Sequence, residues 1–295
     1  MSVRQNPNLS AGTGLPAVTT GLVQWNGSAL HPEDRRALAA AVHALEHTNF
    51  ATRLTTTVGR RLGSLNRLLP PGLSSAVNRA AEKAIASALT AALRSLGSRE
   101  RPGRHSRFAH KAAVAMTGAA GGFFGLASLP LELPVSTIVI LRAIAGIARS
   151  EGEDLSDPET ALACLQVFAL GAHEEGDEFI DSGYFAVRGL LAKAVSEASR
   201  FALERGVADQ AAPVLLKFVS LIGARFGIVV SQKLAVQAIP VLGAAGGAAI
   251  NYAFAAHFQS IASGHFTIRR LERIYGAAIV WAEYERLRPA ASVAA

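Results

Sequence analysis

Apolar residues recur at helical spacing along almost the whole chain. Behind Pro32-Glu33-Asp34, an opening with proline in the first turn and acids at the positive dipole end, Leu38, Val42 and Leu45 fall on one face. The same spacing predicts helices over 52–69, stopped by Pro70-Pro71-Gly72, and over 74–96, where Val77, Ala81, Ile85, Ala88, Ala92 and Ser95 share a side. A linker at 97–106 leads into a glycine-rich segment that runs to 129. Pro130 and Pro134 then bracket Glu132 and predict a break before a helix over 135–150, with Ile138, Leu141, Ala145 and Ala148 on its inner face. Ser156 followed three positions later by Glu159 has the form of a capping box, introducing a helix over 159–170. An acidic loop at 173–183 precedes helices over 184–204, 210–223 and 226–238. After Pro240 the helical pattern resumes through His257 to Ile274, and a terminal helix covers 277–287. No stretch sustains period-two alternation between turn signals. The expected fold is all-α, a single multi-helix bundle.

The sequence Gly-Ala-Ala-Gly-Gly occurs at 118–122 and again at 243–247, inside the uncharged runs Ala112–Leu131, of 20 residues, and Leu234–Ala256, of 23. In a helix these glycines lie at i, i+3 and i+4, on one face, and Gly125 extends the first stripe by a turn. Glycine in a helix costs about 1 kcal/mol relative to alanine, so bare faces of this kind imply close backbone packing. The bundle is expected to have two central glycine-rich helices. Both runs are also long enough to cross a bilayer and to associate there through small-residue faces. The competing expectation is burial on all sides within a soluble bundle. The two copies are not equivalent, since proline follows the first at 130 and precedes the second at 240.

Residues 1–30 read as a flexible N-terminal tail, 31–288 as the helical domain with its basic linker near 97–106, and 289–295 as a C-terminal tail. A lone Cys164 excludes an internal disulfide framework, and without a secretory pattern the default location is cytoplasmic. The net charge of +7 is unevenly spread. Between Ser150 and Val187 stand ten acidic residues and no Lys or Arg, which leaves 29 basic residues against 12 acidic elsewhere, a balance of +17. Arg99, Arg101, Arg104, Arg107 and Lys111, preceded by Arg94 and opposed only by Glu100, stand directly before the first uncharged run. Such a cluster gains about 1 kcal/mol per residue near an anionic leaflet, so an anionic membrane surface is the expected partner. Nucleic acid is not, because Phe108 is the cluster's only aromatic neighbour and no binding module is present.

Glu132 is the strongest candidate for chemistry, because a carboxylate among leucines and prolines loses its charged form unless a cation meets it. Arg142 and Lys233 are the candidate cations, and a structural ion pair is the competing role. Asn251, His257 and His265 are polar interruptions of apolar helix, and His265, Arg269 and Glu272 share a face at i, i+4 and i+7. With Gln237 these residues are read as a hydrogen-bonded polar core. No zinc spacing occurs, and the acidic stretch His173 to Glu178 lacks the spacing of a calcium loop and reads as solvated surface, so no metal is expected. No cofactor is expected either. A Walker loop, a dinucleotide glycine fingerprint and a Gly-x-Ser-x-Gly elbow are all missing from the sequence.

The segment 111–152, with Gly-Gly-Phe-Phe-Gly-Leu, Leu-Pro-Leu-Glu-Leu-Pro and Leu-Arg-Ala-Ile-Ala-Gly-Ile-Ala, resembles the centre of the EcsC protein family. Lys233, Gln237, Pro240, the second glycine stripe, Asn251, His257, His265-Phe266, Arg269, Leu271-Glu272 and Tyr275-Gly276 agree with it in order and spacing, and the resemblance covers roughly 35–285. Similar members usually carry aspartate where this chain has Glu132. The resemblance implies no defined activity, only an operon shared with an ABC transporter. The expected function is therefore a cytoplasmic helical protein, peripheral to or partly inserted in the membrane, acting as an interaction or accessory factor with a membrane-protein partner. The alternatives are a membrane-surface hydrolase using Glu132 with His257 or His265 as acid and base, and a pore-forming protein. Nothing in the sequence fixes an oligomeric state.

Overall fold

The computed structural model describes residues 30–46, 50, 53–54, 73–95, 129–172, 183–205, 212–237 and 243–288. The glycine stripe at 118–125, the basic cluster Arg99 to Lys111, the acidic stretch 173–178, both expected tails and nearly all of the expected helix over 52–69 lie outside these residues. His31–Ala295 forms one compact unit. Eight helices make up the described part of this unit: α1 Pro32–Glu46, α2 Leu73–Ser95, α3 Leu129–Ser150, α4 Pro158–Leu170, α5 Gly183–Arg205, α6 Pro213–Gln237, α7 Gly243–Tyr275 and α8 Ala277–Leu287. No strand occurs among the described residues.

The helix α4 is the centre of the bundle. Every residue of it except Glu159 is buried, and it packs against α2, α3, α5, α6 and α7. That environment accounts for its composition, which is apolar on all sides after Glu159. Its N-cap is Asp157 rather than the serine of the expected capping box. Proline at 158 occupies the first helical position, which places Asp157 at the cap, and its carboxylate accepts from the Glu159 amide at 3.0 Å. At the other end, carbonyl groups that have lost their helical partners meet donors from neighbouring helices. Arg225 of α6 donates to the Ala169 and Ala172 carbonyls at 3.1 and 3.0 Å.

Around α4, Phe168, Phe226, Phe254 and Phe258 make a set of edge-on and tilted ring contacts with centroids 5.0 to 5.9 Å apart, tying α4, α6 and α7 together. The middle of α7 is equally enclosed, with residues 253–259 all buried. The expected inner face of α2 is buried from Val77 to Ala92.

Two predicted boundaries are corrected. The proline pair does not break the chain at Glu132: α3 starts at Leu129, so Pro130 falls in its first turn and only Pro134 lies inside the helix. The missing amide of Pro134 costs a single bond there, to a carbonyl at the very start of the helix. The expected separate helices over 210–223 and 226–238 are one continuous helix, α6. The uncharged run Leu234–Ala256 is divided around Pro240 as expected, since α6 ends at Gln237 and α7 begins at Gly243.

Gly223, where the first of the two expected helices ended, lies inside α6 and with Gly227 faces α2. A Cβ on Gly223 would lie 2.7 Å from Cγ of Glu82 and 3.0 Å from its Cα, and one on Gly227 would lie 2.5 Å from Oδ1 of Asn78. Gly223-x-x-x-Gly227 is therefore a small-residue face against which α2 lies almost in backbone contact. As Asn78 opposes Gly227 and Glu82 opposes Gly223, the two helices run antiparallel.

Candidate functional site

The polar residues singled out in the sequence separate into three clusters along α7. At its N-terminal end Nζ of Lys233 donates to Oε1 of Glu132 at 2.8 Å, and Nδ2 of Asn251 donates to the same oxygen at 3.0 Å. The pair joins α3, α6 and α7 and is almost dry, with side-chain exposures of 1% for Lys233 and 7% for Glu132. The ammonium also lies 4.9 Å from the centroid of the Phe254 ring. Burial pulls the Lys233 pKa below its ordinary value, opposed by the charge and hydrogen bond of Glu132. Of the two cations considered for Glu132, the structure selects Lys233. Arg142 is exposed on the outer side of α3 and is not part of a polar core. Gln237 is half-buried at the last position of α6.

Six residues further along α7, His257 Nε2 lies 2.8 Å from the Gly171 carbonyl. The carbonyl only accepts, so Nε2 carries the proton and the imidazole caps the C-terminal end of α4 beside Arg225. The approach is tight: a Cβ on Gly171 would lie 2.8 Å from the Phe258 ring and 3.0 Å from His257 Nε2. Phe50 and Phe258 enclose the imidazole, with ring centroids at 5.5 and 5.1 Å.

The third cluster occupies the C-terminal half of α7. The Tyr184 hydroxyl is 2.7 Å from Nδ1 of His265, and Arg188, one turn on from Tyr184, donates twice to Glu272 at 2.7 Å. The i, i+7 face of His265 and Glu272 thus meets the i, i+4 face of Tyr184 and Arg188. Burial, followed by the charges of Arg188 and Arg269, holds His265 well below the ordinary histidine range, so the ring is neutral and Nδ1 accepts from the tyrosine. On the far side of the ring, Nε2 meets no hydrogen-bond partner among the described residues.

Next to this cluster Arg269 donates to both oxygens of Glu153, at 2.9 and 3.0 Å, while Arg273 and the Thr160 hydroxyl complete its contacts. Burial raises the Glu153 pKa, and the two guanidinium groups outweigh it, so the net displacement is downward. Glu153 was absent from the sequence reading. Its position one residue after Gly152, which has a left-handed φ of +82°, was the available signal of a fixed turn between α3 and α4.

The start of α5 depends on another glutamate the sequence did not single out. Glu46 at the end of α1 accepts from the Tyr184 amide at 3.0 Å and from the Tyr284 hydroxyl. Gly183, with φ of +65°, leaves room for this carboxylate, since a Cβ there would come within 2.9 Å of it and of Arg288.

These contacts do not converge on a common centre. Glu132 is held at the level of Asn251; at the helical rise of about 1.5 Å per residue, His257 lies about 9 Å and His265 about 21 Å further along α7. Two surface clefts flank the Arg188–Glu272 pair. One, of about 400 Å³, is walled by Phe185, Ala192, Ala278 and Trp281; the other, of about 490 Å³, is walled by Glu153, Asp157, Arg269 and Arg273. Neither includes Glu132, His257 or His265. Buried Cys164, whose thiol pKa burial pushes up to about 12, is not a nucleophile.

No curated protein and no solved structure matches the chain. The model of the EcsC protein family matches residues 33–271, a stretch that takes in the Glu132–Lys233 pair, both histidine contacts and the Glu153–Arg269 pair, and the chain belongs to that family.

Proposed function

We propose that this EcsC family protein is a membrane-associated helical protein, an interaction or accessory factor that works at an anionic bilayer surface on the cytoplasmic side beside a membrane-embedded partner such as a transporter. The observation that carries this reading is the state of two helices. Glu132–Ser150 and Pro213–Gln237 are long and apolar enough to cross a membrane by length and composition, with mean hydropathies of 1.5 and 1.9, yet only half of each is covered by the rest of the protein. Helices that serve only as a core are covered throughout, as α4 is. The basic balance outside the acidic stretch supplies the complementary charge.

The polar clusters support the same reading from the other side. The buried Glu132 and Glu153 side chains and the part-buried Glu272 each meet cations from a different helix or segment, which is how ion pairs hold a bundle together. A hydrolase would need Glu132 and a histidine within hydrogen-bond reach of one substrate, and the spacing along α7 does not provide it.

Flotation with phosphatidylglycerol-containing vesicles tests the proposal. Binding at low salt that weakens steeply as salt is added supports it. Failure to float at any salt concentration, with recovery in the soluble fraction of cells, overturns it.

A further inference from the structure

One end of the bundle combines exposed cations with exposed leucines. α5 and α6 pack against each other and are joined by the short connection 206–212, so the last turn of α5 and the first turn of α6 lie at the same end. Leu203 in that last turn is 67% exposed, the most exposed large apolar side chain among the described residues, and Leu216 in the first turns of α6 is 53% exposed. Arg200 shares the face of Leu203 at i, i+3, Arg205 ends α5, and Lys217 stands beside Leu216; all three cations are exposed. The only acid on the described part of this tip is Glu204, in a loose contact with Arg200 at 3.8 Å in which both side chains are more than half exposed. α6 itself contains no acidic residue over its 25 positions.

The antiparallel packing of α2 on α6 brings a further cation to the same end. With Asn78 against Gly227 and Glu82 against Gly223, α2 advances toward the start of α6 as its numbering rises. At about 1.5 Å per residue Arg94 lies about 18 Å beyond Glu82, and Pro213 about 15 Å before Gly223. The exposed Arg94 therefore ends α2 at the level where α6 begins.

We infer that this end of the molecule, formed by Arg94, Arg200, Leu203, Arg205, Leu216 and Lys217, is the face that docks on an anionic phospholipid surface. The cations sit at the headgroups and the two leucines enter the boundary of the acyl region, an arrangement that uses charge and apolar area together. The inference rests on the membrane reading above and says which surface carries it. It places the bundle axis across the membrane plane rather than along it, with the clefts beside Arg188–Glu272 left to another partner.

The test compares flotation of the full chain with R200Q/R205Q/K217Q, L203S/L216S and, as a control at exposed cations on other helices, R36Q/R286Q on α1 and α8. Vesicles of phosphatidylcholine with and without phosphatidylglycerol are the probe, and circular dichroism melts check that each variant is folded. The triple variant is expected to lose on the order of a hundredfold in affinity for the anionic vesicles, from about 1 kcal/mol per cation, and L203S/L216S to lose a smaller but clear fraction. R36Q/R286Q is expected to bind like the parent chain. If the parent floats and the two tip variants float equally well, the docking face is refuted while the membrane reading stands. If the parent does not float, the membrane reading itself fails.

Discussion

The two ends of α7 hold buried carboxylates in opposite ways. At the Asn251 end one lysine, 1% exposed, meets one glutamate, and Asn251 donates to the same oxygen. At the Arg269 end Glu153 is held by two arginines and a threonine, with side-chain exposures of 18% for Arg269 and 43% for Arg273. The first arrangement sets a charge pair in an almost dry site, where loss of either partner removes the contact that offsets the cost of burial. The second spreads it over a fork of guanidinium donors near water, where removal of one donor leaves another in place. A buried lysine–glutamate pair at one end and a fork of arginines near water at the other define what each end contributes to the fold.

The largest effect is expected from breaking the dry pair. Lys233→Ala or Glu132→Ala should destabilise the protein by about 3–5 kcal/mol in denaturant unfolding, because each removes the opposite charge from an almost dry site. Replacing both with apolar residues of similar size, E132L/K233M, should recover most of that loss. A double variant no more stable than the singles would show that the pair has a worth beyond mutual neutralisation.

Gly223→Ala should cost about 1–3 kcal/mol, since the added methyl meets the backbone of α2 at Glu82. Gly146→Ala, on the outer face of α3 with nothing within 4 Å, should instead raise stability by up to about 1 kcal/mol. The same substitution then has opposite signs in two helices, and thermal melts of the two variants distinguish them.

The neutral His265 gives the Arg269 end a pH dependence. Its folded pKa is depressed, so its contribution is complete above the ordinary value of 6.5 and declines below it, where the unfolded chain takes up a proton that the folded ring refuses. Stability should fall by about 1.4 kcal/mol per pH unit in that range. In H265Q this component should vanish between about pH 7.5 and about pH 5.5. Glu153 acts in the same sense but only below its ordinary value of 4.5, so the two are separable by pH. The smallest effect is expected for Arg273→Ala, below about 1 kcal/mol in the same unfolding assay, because the group is 43% exposed and Arg269 still holds Glu153.

Periodicity made most of the helices legible, and α2 shows why: its inner face from Val77 to Ala92 is a regular stripe that needs no tertiary information. Glu132 and Lys233 were legible as a pair of candidates because a charge among apolar residues has to be met by another. Arg142 was an equally good candidate in sequence, and only the direction of its side of α3 excludes it. The glycines show the limit of pattern reading. Gly-Ala-Ala-Gly-Gly stood out because it repeats, whereas the close approach documented at α6 comes from Gly223 and Gly227, whose spacing acquires meaning only when α2 lies over it. Asp157 took the cap from Ser156 because a proline fixes the first helical position, a local rule outweighing a longer motif. Glu46 and Glu153 were missed because each stands among polar neighbours in the sequence, where a charge does not call for a partner as Glu132 does among leucines and prolines.

The central claim is that the buried polar groups hold the bundle together and that the working surface is the membrane-facing exterior. Vesicle binding by E132L/K233M tests it most directly, once circular dichroism has shown that the variant is folded. The account predicts affinity for phosphatidylglycerol vesicles equal to that of the parent chain; a folded double variant that no longer binds them would contradict it.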